Sequence, residues 1–173
     1  MELEVLIPEE KIKDRVKDLS LEISQAFNND PIVIISILKG AIFFTVDLLR
    51  YLNNEVMLDF IRIKSYEGET KKDTKLAFLS DIPLEGRNVL IVDDIFDTGE
   101  SLKLAYDEVK KRSPKLIKTC VLLDKEIEKK VKLKPDFVGF RIPNFFVVGY
   151  GLDINEKYRN LPYIGYFKTR TLK

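Results

Sequence analysis

The sequence predicts an α/β domain with a mostly parallel, twisted sheet flanked by helices. Three observations carry this expectation. Short runs rich in Ile and Val, "PIVIISILKG" and "NVLIVDDI" among them, have the composition of strands covered on both faces. Stretches with apolar residues at three- and four-residue steps follow these runs, as amphipathic helices require. Strand and helix then alternate, the pattern of parallel strands joined by helical crossovers. At 173 residues, 45% hydrophobic and 33% charged, the chain suits one well-buried globular domain.

Ile12, Val16, Leu19, Ile23 and Phe27 predict a first helix, entered through Pro8 and ending near Asn28 and Asn29. "PIVIISILKG" is the first strand, "AIFFTVDLLRYL" a helix, and "EVMLDFIRIKSY" a second strand of β-leaning composition. The stretch "EGETKKDTK" is dense in charge with almost nothing to bury, and reads as a mobile loop. "NVLIVDDI" is the third strand. Leu102, Ala105, Tyr106 and Val109 then give a helix that Ser113-Pro114 stops. "KLIKTCVLLDK" is the fourth strand, and "DFVGFRIP" and "FFVVGYGLD" give two more short β segments.

Composition narrows the chemistry. With 29 basic and 28 acidic residues, no global field recruits nucleic acid or an anionic membrane, so a bound anion needs a local site. The lone Cys120 can form neither an intramolecular disulfide nor a thiolate metal site, which points to a reducing compartment. The stretch "MELEVLIPEEKIKDR" lacks the basic and apolar regions of a leader, and no apolar run approaches the ~18 residues of a membrane span. A cytoplasmic location is the expectation. Histidine is absent, which excludes Ser-His-Asp and Cys-His catalysis and leaves acid–base work to Asp, Glu, Lys or Tyr.

The most informative stretch is "VLIVDDIFDTGESL", where a buried strand runs into Asp93, Asp94 and Asp97. Ligands of open α/β sheets sit beyond such strand ends. Thr98, Gly99, Glu100 and Ser101 open a helix whose free N–H groups, with the Thr98 and Ser101 hydroxyls, form a nest for a dianionic phosphate. Adjacent carboxylates suit the vicinal hydroxyls of a ribose, because carboxylates accept and hydroxyls donate. Neither "GxxxxGK" nor "GxGxxG" is present, so this is not a P-loop or a dinucleotide fingerprint.

"VDDIFDTGESL" resembles the phosphoribosyl-pyrophosphate loop of the type I phosphoribosyltransferases. "ISILKGAIFFTVDLL", "DFIRIKSY", "LLDK" and "KPDFVGFRIPNFFVVGYGLDINEKYRNLPYIG" are similar, in order and spacing, to the hypoxanthine-guanine members of that family. The resemblance implies the type I phosphoribosyltransferase fold, with a small hood formed by the terminal segments. It implies one domain over residues 1–173, a flexible active-site loop at about 65–75 and a hood and base-binding segment at about 137–173. The reaction implied moves a 5-phosphoribosyl group from its pyrophosphate to a 6-oxopurine, with Mg2+ as cofactor, no nucleic-acid or membrane partner, and a homodimer or homotetramer as the assembly.

By this resemblance, Asp93 and Asp94 hold the ribose hydroxyls and a metal, and Asp97 to Ser101 hold the 5-phosphate. Asp97 also faces N7 of the base as general base or hydrogen-bond partner, a role consistent with the lack of histidine. Leu38-Lys39-Gly40 resembles the pyrophosphate loop, often cis before the lysine, and Ser65-Tyr66 resembles the hood that closes over pyrophosphate. Ile95 packs on one face of the purine, and Lys125 selects an oxygen at its position 6, since an ammonium offers only donors. Phe146 stacks on the base, the Val147 backbone meets its exocyclic position, Asp153 reaches a second magnesium, and Arg159 contacts pyrophosphate.

Three departures from the family stand out. Asp93 replaces a more usual glutamate, Ala41 replaces a second glycine of some relatives, and the charged loop is two or three residues shorter. Other readings explain less. A receiver domain also uses "VLIVDD", but places it near the domain start and has no purpose for "TGES". A ligand-sensing regulator on the same fold could dispense with Asp97, Lys125 and Phe146, and would suit a more basic chain than one of net charge +1. A xanthine-preferring enzyme is compatible with Lys125, whereas an adenine enzyme is opposed by it.

Overall fold

The computed structural model of the protein describes residues 2–67, 72–78 and 82–168. In chain order these form β1 (Glu2–Ile7), α1 (Glu9–Ala26), β2 (Ile32–Leu38), α2 (Ile42–Tyr51), β3 (Val56–Glu67) and β4 (Lys72–Phe78). They continue with β5 (Asn88–Phe96), α3 (Glu100–Lys110), β6 (Leu116–Lys125), β7 (Phe137–Ile142), β8 (Val147–Val148) and β9 (Ile164–Lys168).

A six-stranded sheet runs β4-β3-β2-β5-β6-β7. Strands β3, β2, β5, β6 and β7 are parallel, as their composition predicts, and β4 is antiparallel to β3. Side-chain alternation splits the core in two. Ile34, Leu90, Val92 and Leu122 face Val16, Leu19 and Ile23 of α1 and Phe44 and Leu48 of α2. Val33, Ile35, Val89, Ile91 and Val121 face Leu102, Ala105 and Val109 of α3. Each fully buried Leu, Ile or Phe contributes about 1.5–3 kcal/mol to holding these layers. Ser36 and Thr45 share a buried 2.7 Å hydrogen bond that ties β2 to α2. The Cys120 thiol is buried in the core, and burial pushes its pKa up.

Pro8 caps α1 in an extended conformation, as the helix-entry pattern predicts. Asn28 and Asn29, with φ of 54° and 56°, carry the chain out of α1, positions where asparagine tolerates left-handed backbone. From α1, the Arg15 guanidinium donates to the carbonyls of Val138 and Gly139 at 2.8 and 3.0 Å, on the outermost strand β7.

The chain departs from the sequence expectations at its charged stretch and at its ends. Of the stretch expected as a loop over 65–75, residues 65–67 belong to β3 and 72–75 to β4, while 68–71 lie outside the described residues. So few residues between two strands cannot make a crossover, which forces the antiparallel pairing. A second, three-stranded sheet of order β1-β9-β8 joins the two ends of the chain and forms the small hood. The Tyr166 hydroxyl donates to Glu4 at 2.6 Å and Lys168 Nζ to the same carboxylate at 3.0 Å. The segment from 137 does not all join the hood, since β7 completes the large sheet.

Candidate active site

Strand order reverses between β2 and β5, because the chain leaves β2 toward β3 on one side and β5 toward β6 on the other. A ligand crevice opens beyond the carboxyl ends at such a point. There the structure has a cavity of about 230 Å³, lined by Ile37, Leu38 and Gly40 after β2, Ile63 of β3, and residues 93–102.

Backbone packing makes this crevice narrow. A Cβ on Gly40 would sit 1.7 Å from Asp94 Oδ2, and one on Gly151 (φ +102°) would sit 2.0 Å from the Gly40 carbonyl oxygen. The three segments thus meet with no room for side chains between them. The Leu38–Lys39 peptide is cis, as the resemblance implies. Ala41 has φ −77° and ψ −1° at the start of α2, a conformation open to any residue, so the second glycine of some relatives is not needed here.

Asp93 Oδ1 accepts the Asp94 N–H at 3.0 Å, and Asp94 Oδ1 accepts the Ile95 N–H at 2.9 Å, so each carboxylate is held by the backbone following it. Burial raises the pKa of both, and for Asp93 the neighbouring Asp94 charge raises it further. No ion pair reaches either group among the described residues. No three His, Cys, Asp or Glu residues among those described cluster as a metal cage. A pair of hard oxygen donors without a cage is the donor set that Mg2+ uses when substrate phosphates and water complete its octahedron. The residues therefore fit the ion.

Beyond the acids, Gly99 caps α3 with φ 88°, and no side chain caps the helix. The first N–H groups of a helix have no intrahelical partner, and residues 98–102, at the start of α3, line the cavity. A Cβ on Gly99 would meet Val131 Cγ2 at 2.5 Å and the Phe96 ring at 2.8 Å. Behind the turn, Lys130 N–H donates to the Thr98 carbonyl at 3.0 Å and Lys129 Nζ to the Phe96 carbonyl at 2.9 Å. The Thr98 hydroxyl donates to Glu100 Oε2 at 2.9 Å, and Lys130 pairs with that carboxylate at 3.3 Å. Glu100 lines the cavity with its neighbours, and its carboxylate engages the Thr98 hydroxyl expected to hold the phosphate.

Lys125, only 11% exposed in its side chain, places Nζ 3.3 Å from Asp97 Oδ2. Ile95 is half-buried against the core. Phe146 is 59% exposed, and Val147 is buried in β8. The neighbouring Phe145 is already stacked on Tyr166, with centroids 4.7 Å apart. Ser65 and Tyr66 lie in β3, and their side chains are outside the described residues.

On the far side, Arg159 donates to Asp153 Oδ1 at 2.8 Å, to Glu156 Oε2 at 3.0 Å and to the Gly151 carbonyl at 2.6 Å. Lys39 Nζ donates to Glu156 Oε1 at 2.8 Å. The Lys39 and Arg159 hydrogen bonds together lower the Glu156 pKa. Asp153 Oδ2 accepts the Glu156 N–H at 2.8 Å, so both Asp153 oxygens have partners within the protein.

The family model for the phosphoribosyl transferase domain matches residues 6–155. The chain belongs to the phosphoribosyltransferase family. It is 44% identical over 163 residues to a hypoxanthine-guanine phosphoribosyltransferase of Aquifex aeolicus, covering 92% of each chain. Against the enzyme of that name from Bacillus subtilis, identity is 41%, covering 95% of this chain and 92% of that one. A crystal structure of a Bacillus anthracis hypoxanthine-guanine phosphoribosyltransferase superposes with a TM-score of 0.88 at 42% identity, covering 95% and 98% of the two chains. A Trypanosoma cruzi hypoxanthine phosphoribosyl transferase does so with a TM-score of 0.89 at 36% identity, covering 95% and 91%.

Within this phosphoribosyltransferase, the crevice gathers Gly40 and residues 93–101 around one cavity. Lys125 joins them through Asp97, and Lys39, Asp153 and Arg159 form a linked charged group. Sequence reading missed Gly151 and Glu156. The doubled glycine in "VVGYGLD" was the available signal for the first, whereas Glu156 carried no local signal because its reach depends on a turn. Among the described residues, no helix is long and apolar enough to cross a membrane.

Proposed function

We propose that this phosphoribosyltransferase moves the 5-phosphoribosyl group of 5-phosphoribosyl 1-pyrophosphate to N9 of hypoxanthine or guanine, yielding IMP or GMP and pyrophosphate. The observation that carries the reading is the 3.3 Å pair of Lys125 and Asp97 beside the acidic turn. N7 and O6 lie side by side on one edge of a 6-oxopurine. An ammonium next to a carboxylate matches that edge when N7 carries a proton: Lys125 donates to O6 and Asp97 accepts from N7–H. Adenine places an amino group against the ammonium and loses this match.

In this reading the 5-phosphate sits on the N–H groups of residues 98–101, where the α3 dipole favours an anion. Asp93 and Asp94 accept the ribose hydroxyls and would hold Mg2+, and Asp153 would serve a second ion. When bound, Mg2+ supplies charge neutralisation for the departing pyrophosphate. Lys39 and Arg159 grip the same group, Arg159 with a planar fork suited to phosphate oxygens. As N9 donates its electron pair to C1 of the ribose, the C1–O bond breaks, its electrons leave with pyrophosphate, and the N7 proton passes to Asp97. Ile95 and Phe146 cover the two faces of the base, and the Val147 backbone meets its exocyclic position. Closure of the β3–β4 hairpin, with Ser65 and Tyr66, excludes water from the donor.

The protein acts as a homodimer or homotetramer in this reading. Ile42, Phe43 and Val46 of α2, each about two-fifths exposed, form an apolar stripe beside the Lys39 loop that a second copy would cover. The test of the function is pyrophosphate release with Mg2+ and the ribosyl donor, offering adenine, hypoxanthine, guanine and xanthine separately. Turnover of hypoxanthine and guanine without adenine is expected. Donor binding without turnover of any base would overturn the catalytic reading, and turnover of xanthine alone would reassign the base.

A further inference from the structure

We propose that Glu156 is an internal competitor for pyrophosphate: its carboxylate engages the same two cations, Lys39 and Arg159, so that one anion must displace the other. The inference rests on the reading above that these cations bind pyrophosphate.

The two oxygens of Glu156 are divided between two segments of the chain. Oε1 accepts from Lys39 Nζ at 2.8 Å, and Oε2 accepts from Arg159 Nη2 at 3.0 Å and Nε at 3.3 Å. A carboxylate that bridges an ammonium and the edge of a guanidinium makes the contacts a phosphoryl group would make. The partners are unequally dependent on it. Arg159 keeps Asp153 and the Gly151 carbonyl as anchors when Glu156 leaves. Lys39 has Glu156 as its ion-pair partner among the described residues. Displacement therefore leaves Arg159 in place with its Nε edge open and sets Lys39 free to follow the incoming anion.

The backbone is shaped to deliver this carboxylate. Ile154 and Lys157 exchange hydrogen bonds of 3.2 and 3.0 Å, and Asn155 and Glu156 between them have φ of 52° and 62°. That is a two-residue type I′ turn, whose second central position favours glycine. Glutamate there accepts an unfavourable left-handed conformation, and the Asp153 side chain steadies it through the Glu156 N–H. The carboxylate itself is 63% exposed, so the ion pair is screened and exchangeable rather than a fixed part of the core. Such a group lowers the affinity for the leaving pyrophosphate and speeds its departure, because the cations it vacates are refilled from within the loop.

The experiment is calorimetric titration of Mg2+-pyrophosphate into the full-length wild type, Glu156→Gln, Glu156→Gly, Lys39→Met and the Lys39→Met/Glu156→Gln double variant, with KM for the donor and the pyrophosphate-release rate measured alongside. Glu156→Gln is expected to tighten pyrophosphate about threefold, the scale of an exposed ion pair. KM for the donor should fall in step, and release should slow. Glu156→Gly should tighten binding likewise and raise the Tm by relaxing the turn. Against Lys39→Met alone, the gain in the double variant should shrink to the part that passes through Arg159. Unchanged or weaker pyrophosphate binding in Glu156→Gln or Glu156→Gly, with Lys39→Met weakened, would overturn the competitor role. Unchanged binding in Lys39→Met would instead sink the assignment of Lys39 to pyrophosphate, on which the proposal stands.

Discussion

The two walls of the crevice are built by opposite means. The acidic turn, residues 93–101, continues a strand whose preceding residues are buried; the carboxylates of Asp93 and Asp94 are pinned to the backbone that follows them, and Asp97 is held by the largely buried Lys125. The facing segment, residues 149–159, holds Glu156 and Arg159 by ion pairs that reach solvent, with each other and with Lys39 of the loop after β2. The first wall is preorganised and the second is exchangeable. Groups that must meet developing charge at a fixed point gain from the first arrangement. Groups that must grip an anion and then release it gain from the second.

Substitutions that strike the rigid wall should cost most. Asp97→Asn removes the proton acceptor at N7 and should lower kcat about 10²-fold or more with Lys125 unmoved, as steady-state pyrophosphate release would report. Equal rates in the variant would reduce Asp97 to a spectator. Gly40→Ala strikes where the walls meet, since its Cβ would sit 1.7 Å from Asp94 Oδ2. Overpacking of this kind costs about 1–3 kcal/mol. A lowered Tm together with lost donor binding would show that the contact positions Asp94.

A subtler effect separates the walls by pH. Burial raises the Asp93 pKa above the ordinary 3.8, so in the folded state Asp93 binds its proton more tightly than in the unfolded chain. The corresponding stability is present below pH 3.8 and is lost as pH rises through the higher folded value. Asp93→Asn should therefore match the wild type near pH 3.5 and exceed it in Tm by a margin that widens toward neutrality. A margin constant with pH would show that the pair carries no buried charge. The smallest change is expected on the exchangeable wall. Arg159→Lys keeps the charge and loses the fork, and should raise KM for the donor about two- to fivefold with kcat nearly unchanged. A collapse of kcat would place Arg159 among the rigid elements.

This division also governs what the sequence makes legible. The turn is nine consecutive residues following an apolar strand, so its chemistry can be read in one window. Helices α1 and α3 announce themselves by local spacing, as Val16, Leu19 and Ile23 do. The hood does not, because β1 and β9 pair across a separation of 162 residues between Glu4 and Tyr166. Strand β4 was hidden by its charge, and is fixed by the shortness of its link to β3. Gly151 against Gly40, and Glu156 between Lys39 and Arg159, are contacts between distant segments that no local pattern encodes.

The clasp of Arg15 on the outermost strand bears on behaviour in a crowded cell. A sheet border exposes unpaired acceptors that invite another chain to add as a further strand, the first step toward fibres. Here a side chain from the opposite end of the sequence occupies the carbonyls of Val138 and Gly139. The same guanidinium pairs with Glu22 farther along α1, which fixes its orientation. Strand addition along β7 must first expel a charged group from its hydrogen bonds, a built-in safeguard against polymerisation.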